Sequence, residues 1–247
     1  MQLEIIFQDE YLIAINKPAG LLVHRTPMAR DATEFALQLL RDQVGQKVYP
    51  AHRLDRKTSG VLVFSFSETI DRQLKSFFSE RKTQKVYHAV VRGFSPDEII
   101  IDHPIKNEKG MVKKALTHWK TLEQYEIDVP LGKHQTSRYS FVEMSPETGR
   151  FHQLRKHAAH IYHPIIGDRP HGCNKQNRLW KNRWGMTRML LHASKLTIPH
   201  PVHNQPITLE AGFDEVYKKV VAALRNADTT KLNFFITADS SVNQPPA

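Results

Sequence analysis

The sequence predicts an α+β fold, a mostly antiparallel mixed sheet with flanking helices. Three observations point there. Short β-rich runs joined by polar turns make up most of the chain, only a few stretches carry helical spacing, and strands do not alternate with helices in the doubly wound manner. No internal repeat and no low-complexity linker divides the 247 residues. One continuous domain over 1–226 is therefore expected, followed over 227–247 by a loosely held tail rich in Ser, Thr, Asn and Pro.

In chain order, residues 3–7 and 11–15 are β-rich runs on either side of a turn at Gln8-Asp9-Glu10, and Pro18 and Gly20 then punctuate the chain. Phe35, Ala36, Leu39 and Leu40 recur at helical spacing within 33–43, and Gly45 follows the end. Val61-Leu62-Val63-Phe64 is the unbroken apolar run of a buried strand. Ser67 stands where it can cap a helix with Ile70, Leu74, Phe77 and Phe78 on one face, ending near Arg81. Residues 85–92, 115–122 and 138–144 read as strands, and the polar loop-forming stretches between them predict antiparallel pairing. Residues 151–161 suit a helix with Leu154, Ala158 and Ile161 on one side and Arg155, Lys156 and His160 elsewhere around it; Pro164 closes it. Residues 190–198 form a further strand, and Asp214 caps a last helix through Leu224.

A hydrophobic content of 40% supports a sizeable core, yet no apolar run is long enough to cross a bilayer. Glu4, Gln8 and Asp9 interrupt the first apolar stretch, unlike a secretory signal, so a cytoplasmic location without membrane contact is expected. A single cysteine, Cys173, excludes an intramolecular disulfide framework and a zinc site of several thiolates. Lys and Arg number 35 against 25 Asp and Glu, a net charge of +10. Between Arg150 and Arg188 stand nine basic residues and one acid, Asp168, with five histidines and with Trp180 and Trp184 interleaved. Cations for phosphates and aromatic faces for bases suit RNA or single-stranded nucleic acid. A solvated basic face is the other reading of the same clustering.

One carboxylate sits among cations in His52-Arg53-Leu54-Asp55-Arg56-Lys57-Thr58-Ser59-Gly60, immediately before the buried apolar run. Neighbouring cations favour the ionised form, and a partly dry carboxylate suits a nucleophile or base. A turn whose charges merely pair with each other is the alternative. The segment resembles the His-Arg-Leu-Asp signature of the RluA family of pseudouridine synthases. Upstream, Asn16-Lys17-Pro18-Ala19-Gly20-Leu21-Leu22-Val23-His24 is similar to the family's first motif. Downstream, Lys85-Val86-Tyr87-His88-Ala89-Val90-Val91-Arg92-Gly93 resembles its tyrosine-bearing strand, and Glu147-Thr148-Gly149-Arg150-Phe151-His152-Gln153-Leu154-Arg155-Lys156-His157 its arginine motif. His163-Pro164-Ile165-Ile166-Gly167-Asp168 with Leu191-His192-Ala193 is similar to the closing blocks. Ordered blocks spread over residues 3–213 are far more specific than any one of them.

The resemblance implies an isomerase that breaks the N-glycosidic bond of a uridine, turns the uracil in its pocket and rejoins it through C5, with no cofactor. It implies Asp55 as the catalytic carboxylate, Tyr87 as the aromatic that stacks on the base, Arg155 as the partner of Asp55, and Arg53 as the side chain that replaces the everted nucleotide. His52, Arg56, Arg150, Lys156, Lys175, Arg178, Lys181 and Arg183 are expected to contact RNA. The blocks begin so early that no room is left for the S4-type RNA-binding module of many relatives, so the catalytic domain is expected to grip RNA itself, as a monomer without an obligate protein partner. Residues 101–139 and 173–184 look most like a branch that modifies tRNA where the acceptor and T stems meet, at uridine 65. Ribosomal RNA is the other substrate class of such a family, and a non-catalytic RNA-binding protein and a metal-dependent nuclease built on the histidines are the competing classes. No metal site is indicated: His157 and His160 lie three apart, but among cations and without a His-Glu-x-x-His pattern. Lys17-Pro18-Ala19-Gly20 lacks the ending of a nucleotide-triphosphate loop, and Cys173 has no matched catalytic neighbour.

Overall fold

The computed structural model describes residues 1–25, 33–107 and 110–232. The chain opens with β1 (Glu4–Gln8) and β2 (Leu12–Lys17), followed by α1 (Ala36–Val44), β3 (Tyr49–Pro50), β4 (Ser59–Ser65), α2 (Glu68–Ser79) and β5 (Gln84–Arg92). The middle holds β6 (Glu98–Asp102), β7 (Ile105–Lys106), β8 (Val112–Lys113), β9 (Leu116–Ile127) and β10 (Ser137–Pro146). Then come α3 (Gln153–His160), α4 (Asn174–Trp184), β11 (Leu191–Pro199), β12 (Pro206–Glu210) and α5 (Glu215–Arg225). Among the described residues one ten-stranded sheet runs β1-β2-β4-β11-β5-β10-β9-β6, with β3 beside β4 and β12 beside β11, while β7 and β8 pair separately. Its strands pair antiparallel except β4 with β11, which run parallel. The sheet is thus mixed and mostly antiparallel, as the sequence predicts.

Period-two alternation decides what each helix covers. Leu12, Ala14, Val61 and Val63 pack with Leu74 and Phe77 of α2, whereas Ile13, Ile15, Leu62 and Phe64 pack with Ala36 and Leu40 of α1. Helices on both faces explain why the runs 12–15 and 61–64 of these two strands are continuously apolar. Farther along, Tyr139 and Phe141 of β10 pack with α4 and α5, and Val142 and Met144 with Leu154 and Ala158 of α3. The close parallel approach at the sheet's centre requires a glycine: at Gly60, with φ 112°, a Cβ would lie 2.1 Å from the carbonyl oxygen of Ala193.

Local signals place most of the helix ends. Ser67 Oγ accepts from the Ile70 N–H at 3.3 Å, Asp214 Oδ1 accepts from Tyr217 at 3.0 Å, and Gly45 closes α1 in the left-handed region. Helix α1 begins at Ala36 rather than residue 33, because the Ala36 and Leu37 N–H groups donate to the carbonyls of Leu22 and Val23. Helix α4 is not foreseen by the sequence, and it corrects the reading of its aromatics. Trp180 and Trp184 are fully buried against the sheet, with Trp180 Nε1 donating to Tyr139 Oη at 3.1 Å, so they are core and not stacking surfaces for bases. Strands β3, β6, β7, β8 and β12 are likewise additions to the sequence-based expectation. Of the tail expected to be loose, Thr229–Leu232 forms a short 3₁₀ turn that buries Leu232 in the same cluster; 233–247 lies outside the described residues.

Trp180→Ala is expected to destabilise the domain by about 3–5 kcal/mol, read from the shift of its urea midpoint, because a filled core position becomes a cavity. A loss below about 1 kcal/mol would contradict that placement.

Candidate active site

The segment between β3 and β4 is pinned before any chemistry is considered. Leu54 is buried in the α1 cluster, which anchors its neighbour Asp55, and the Thr58 N–H donates to the Asp55 carbonyl at 3.0 Å to close a turn. Lys17, at the end of β2, is wholly buried and donates from Nζ to the carbonyls of Pro18, Leu21 and Arg56 at 2.9, 2.9 and 3.3 Å. Burial pushes its pKa down to about 7, while three carbonyl acceptors and the charge of Asp55 favour the ammonium. The Gly20 N–H donates to the Arg56 carbonyl, and Arg56 Nε donates back to the Gly20 carbonyl at 3.0 Å. The strand end and the Asp55 turn are therefore one hydrogen-bonded unit.

Arg155 of α3 is the hub. Its Nε and Nη2 donate to the two oxygens of Asp168, each at 2.8 Å, and its Nη1 donates to Asp55 Oδ2 at 2.8 Å. Asp168 is 1% exposed and Arg155 6%, so the fork-on-fork pair sets the guanidinium plane in a dry place and aims its remaining edge at Asp55. Burial works against the charge of Arg155, yet hydrogen bonds and charges from Asp168 and Asp55 outweigh it and raise its pKa. Asp168 is held in turn by α4: Asn177 donates from Nδ2 to the Asp168 carbonyl at 2.6 Å and accepts the Gly167 N–H at 2.9 Å.

His152 and Tyr87 stand beside this pair. His152, in left-handed backbone geometry at the start of α3, places Nε2 3.6 Å from Asp55 Oδ2 and shares a 2.9 Å hydrogen bond through Nδ1 with His171. Burial, the largest cause, pushes its pKa down to about 4, so the ring is neutral at pH 7. Tyr87 of β5 is half-buried; burial first, and the charge of Asp55 second, hold its phenol above the usual range, so the hydroxyl keeps its proton. Asp55, Arg155, Tyr87 and His152 all line one cavity of about 840 Å³, within the roughly 300–1,000 Å³ common for ligand sites. Such a volume admits a nucleoside.

Sequence comparison identifies the family. A family model described as RNA pseudouridylate synthase matches residues 11–160. The chain belongs to that family. As an RNA pseudouridylate synthase it is an isomerase. It is 45% identical over 231 residues to tRNA pseudouridine synthase C of Vibrio cholerae serotype O1, covering 89% of this chain and 95% of the relative. The protein of the same name from Yersinia pestis is 44% identical over 231 residues, covering 89% and 90%. Solved structures share the fold: Human RNA Pseudouridylate Synthase Domain Containing 4 superposes with a TM-score of 0.68 at 21% identity, covering 93% of this chain and 92% of that one. Domain Containing 1 gives 0.67 at 23%, covering 91% and 95%.

The synthase fold does not gather every residue expected at the site. Arg53 and Arg150 line the cavity. His52 lines it too, but its Nε2 accepts the Val63 N–H at 3.2 Å and burial pushes its pKa down to about 4, so it meets a ligand as a neutral ring and not as a cation. Arg56 is spent on Gly20, and Lys156 donates to the Lys106 carbonyl at 3.1 Å. Lys175, Arg178, Lys181 and Arg183 lie on α4, outside the cavity walls. Reasoning from sequence missed Asp168 as the second anchor of Arg155, His152 as the neighbour of Asp55, and Lys17 as the staple of the loop. For Lys17 a signal was present: a lone ammonium ending a strand of otherwise mostly apolar residues.

A histidine depressed from 6.5 to about 4 leaves the unfolded chain binding more protons between those values, so its contribution to stability is intact above pH 6.5 and lost as pH falls towards 4. Tm is accordingly expected to fall between about pH 7 and 5, and His152→Asn to lessen that fall. Equal slopes in parent and variant would show that folding does not depress the pKa of His152.

Proposed function

We propose that this synthase converts a uridine of tRNA to pseudouridine, at position 65 where the acceptor and T stems meet, with Asp55, Arg155 and Tyr87 as its catalytic groups. The observation that carries the reading is the Asp55 carboxylate held by a buried, doubly anchored guanidinium at a nucleoside-sized cavity. The isomerisation breaks N1–C1′ and makes C5–C1′; a proton leaves C5 and one arrives at N1, so no oxidant, reductant or energy donor is needed. Asp55 starts it, either by attacking C1′ or by taking the neighbouring C2′ proton, and both routes use the carboxylate as an anion facing the sugar. Arg155 orients that anion, and removing Asp168 from its dry pair with Arg155 costs about 3–5 kcal/mol. Tyr87 offers a ring face to the detached uracil and, because its hydroxyl keeps its proton, a hydrogen-bond donor to the base, while the C5 proton leaves to water. Everting the nucleotide costs a few kcal/mol, and Arg53, exposed at the cavity rim, is placed to fill the gap.

The tRNA assignment rests on the relatives named tRNA pseudouridine synthase C, matched across 89% of this chain. Among the described residues no helix is long and apolar enough to cross a membrane, and the proposed setting is a cytoplasmic monomer. The cations of α4 are assigned to the body of the tRNA beyond the reacting nucleotide. A non-catalytic RNA-binding role gives no use for a clamped carboxylate in such a cavity.

Asp55→Ala is expected to bind tRNA nearly as the parent does while pseudouridine formation, read by carbodiimide block to primer extension, falls at least about 10²-fold. Undiminished formation, or a mark at some other uridine in RNA from cells with and without the gene, would refute the roles or the target respectively. Replacing Lys181 and Arg183 together with Ala is expected to weaken tRNA binding and lower the magnitude of its log–log salt slope by about 0.9 for each phosphate left unneutralised. An unchanged slope would place α4 outside the footprint.

A further inference from the structure

One wall of the active-site cavity holds cations that the reaction does not use. Lys85 precedes Tyr87 by two positions on β5, so the pleat turns both side chains to the same face, and both line the cavity. Lys85 is half-buried, and among the described residues no carboxylate lies within ion-pair distance of it. Its ammonium lies 4.0 Å from where a Cβ would stand on Gly149, against the wall formed by Thr148 and Arg150. Arg81, just past α2, lines the same cavity and also lacks a carboxylate partner among the described residues. Lys75 on this wall, by contrast, is paired with Asp71.

Two features make this a built site. Arg81 sits at φ 60°, a left-handed conformation that costs a residue with a side chain about 1–3 kcal/mol and that usually falls to Gly or Asn after a helix. The charges also go unanswered: burial, and then the charge of Arg81, lower the pKa of Lys85, and after burial Lys85 in turn depresses His52. Two cations lining one cavity, Lys85 half-buried and Arg81 exposed, with no carboxylate of the described residues within ion-pair distance of either, form a receptor for an anion. The anion an RNA substrate carries into this cavity is its phosphodiester.

We propose that Lys85 and Arg81 form a subsite for a phosphate adjoining the everted uridine, gripping the backbone inside the cavity while Asp55 works on the sugar. This rests on the reading of the cavity as the uridine site, but on no particular RNA. Lys85 and Arg81 are then specificity residues for a nucleotide held in a strand, against a free nucleoside.

The test uses the full chain with synthetic tRNA carrying one neutral methylphosphonate, 5′ or 3′ of the target uridine. With the parent enzyme, one of the two substitutions is expected to weaken binding about tenfold. Lys85→Gln is expected to raise KM about tenfold, with a smaller fall in kcat, and to lower the magnitude of the salt slope by about 0.9. On this variant the same methylphosphonate is expected to cost nothing further, and Lys85→Arg is expected to restore both affinity and the methylphosphonate penalty. An equal penalty in parent and Lys85→Gln overturns the proposal, as does indifference of the parent to both methylphosphonates, which holds even where Lys85→Gln fails to fold. Pseudouridine formation by the parent on the unmodified tRNA is scored separately, so failure of the tRNA reading and failure of the phosphate subsite give different results.

Discussion

The structure depends on how one guanidinium is shared between two carboxylates. Arg155 spends a bidentate face on Asp168 and the remaining edge on Asp55. A single Asp–Arg pair would leave the catalytic carboxylate free to follow a swinging side chain. With Asp168 fully desolvated, the guanidinium has one low-energy orientation, and Asp55 inherits it. The buried Arg155–Asp168 pair adds little net stability, because desolvating both charged groups offsets most of their attraction. Its contribution is position.

Position is then traced back through the core. Asp168 is held by Asn177 of α4, and α4 is held by Trp180 and Trp184 packed on Tyr139 and its neighbours. On the other side, Asp55 is fixed by buried Leu54 and by the turn that Lys17 staples to the end of β2. The two halves meet where β4 and β11 run parallel, an approach that only Gly60 permits. The site joins two layered units of the sheet, and each supplies one member of the ion pair.

Electrostatically the cavity separates two tasks. Beside Asp55, His152 is neutral and the Tyr87 phenol is protonated, so Arg155 is the cation that touches the reactive carboxylate. The cations Lys85, Arg81, Arg53 and Arg150 are spread around the walls. Attraction for the RNA backbone is thereby separated from the group that acts on the sugar. A uniformly basic pocket would instead draw phosphates onto Asp55.

Much of the fold and of the site was legible in the residues. The unbroken apolar runs of β2 and β4, the caps at Ser67 and Asp214, the stop at Gly45, and the ordered motif blocks depend on neighbours within a few positions, and such patterns survive in a linear string. Asp55, Tyr87 and Arg155 were legible as motif members for the same reason. Helix α4 was obscured because Gln176, Trp180 and Trp184 repeat at helical spacing inside a segment whose cations suggested a nucleic-acid surface. Fold class, family and the candidate catalytic carboxylate follow from the residues alone, because each is written in local spacing. That Asp168 anchors Arg155, that the tryptophans face the core, and that Lys85 and Arg81 share a cavity with Asp55 emerges from the folded arrangement. These pairings join residues far apart in the chain or turn on which face of an element is buried, and both are settled by packing.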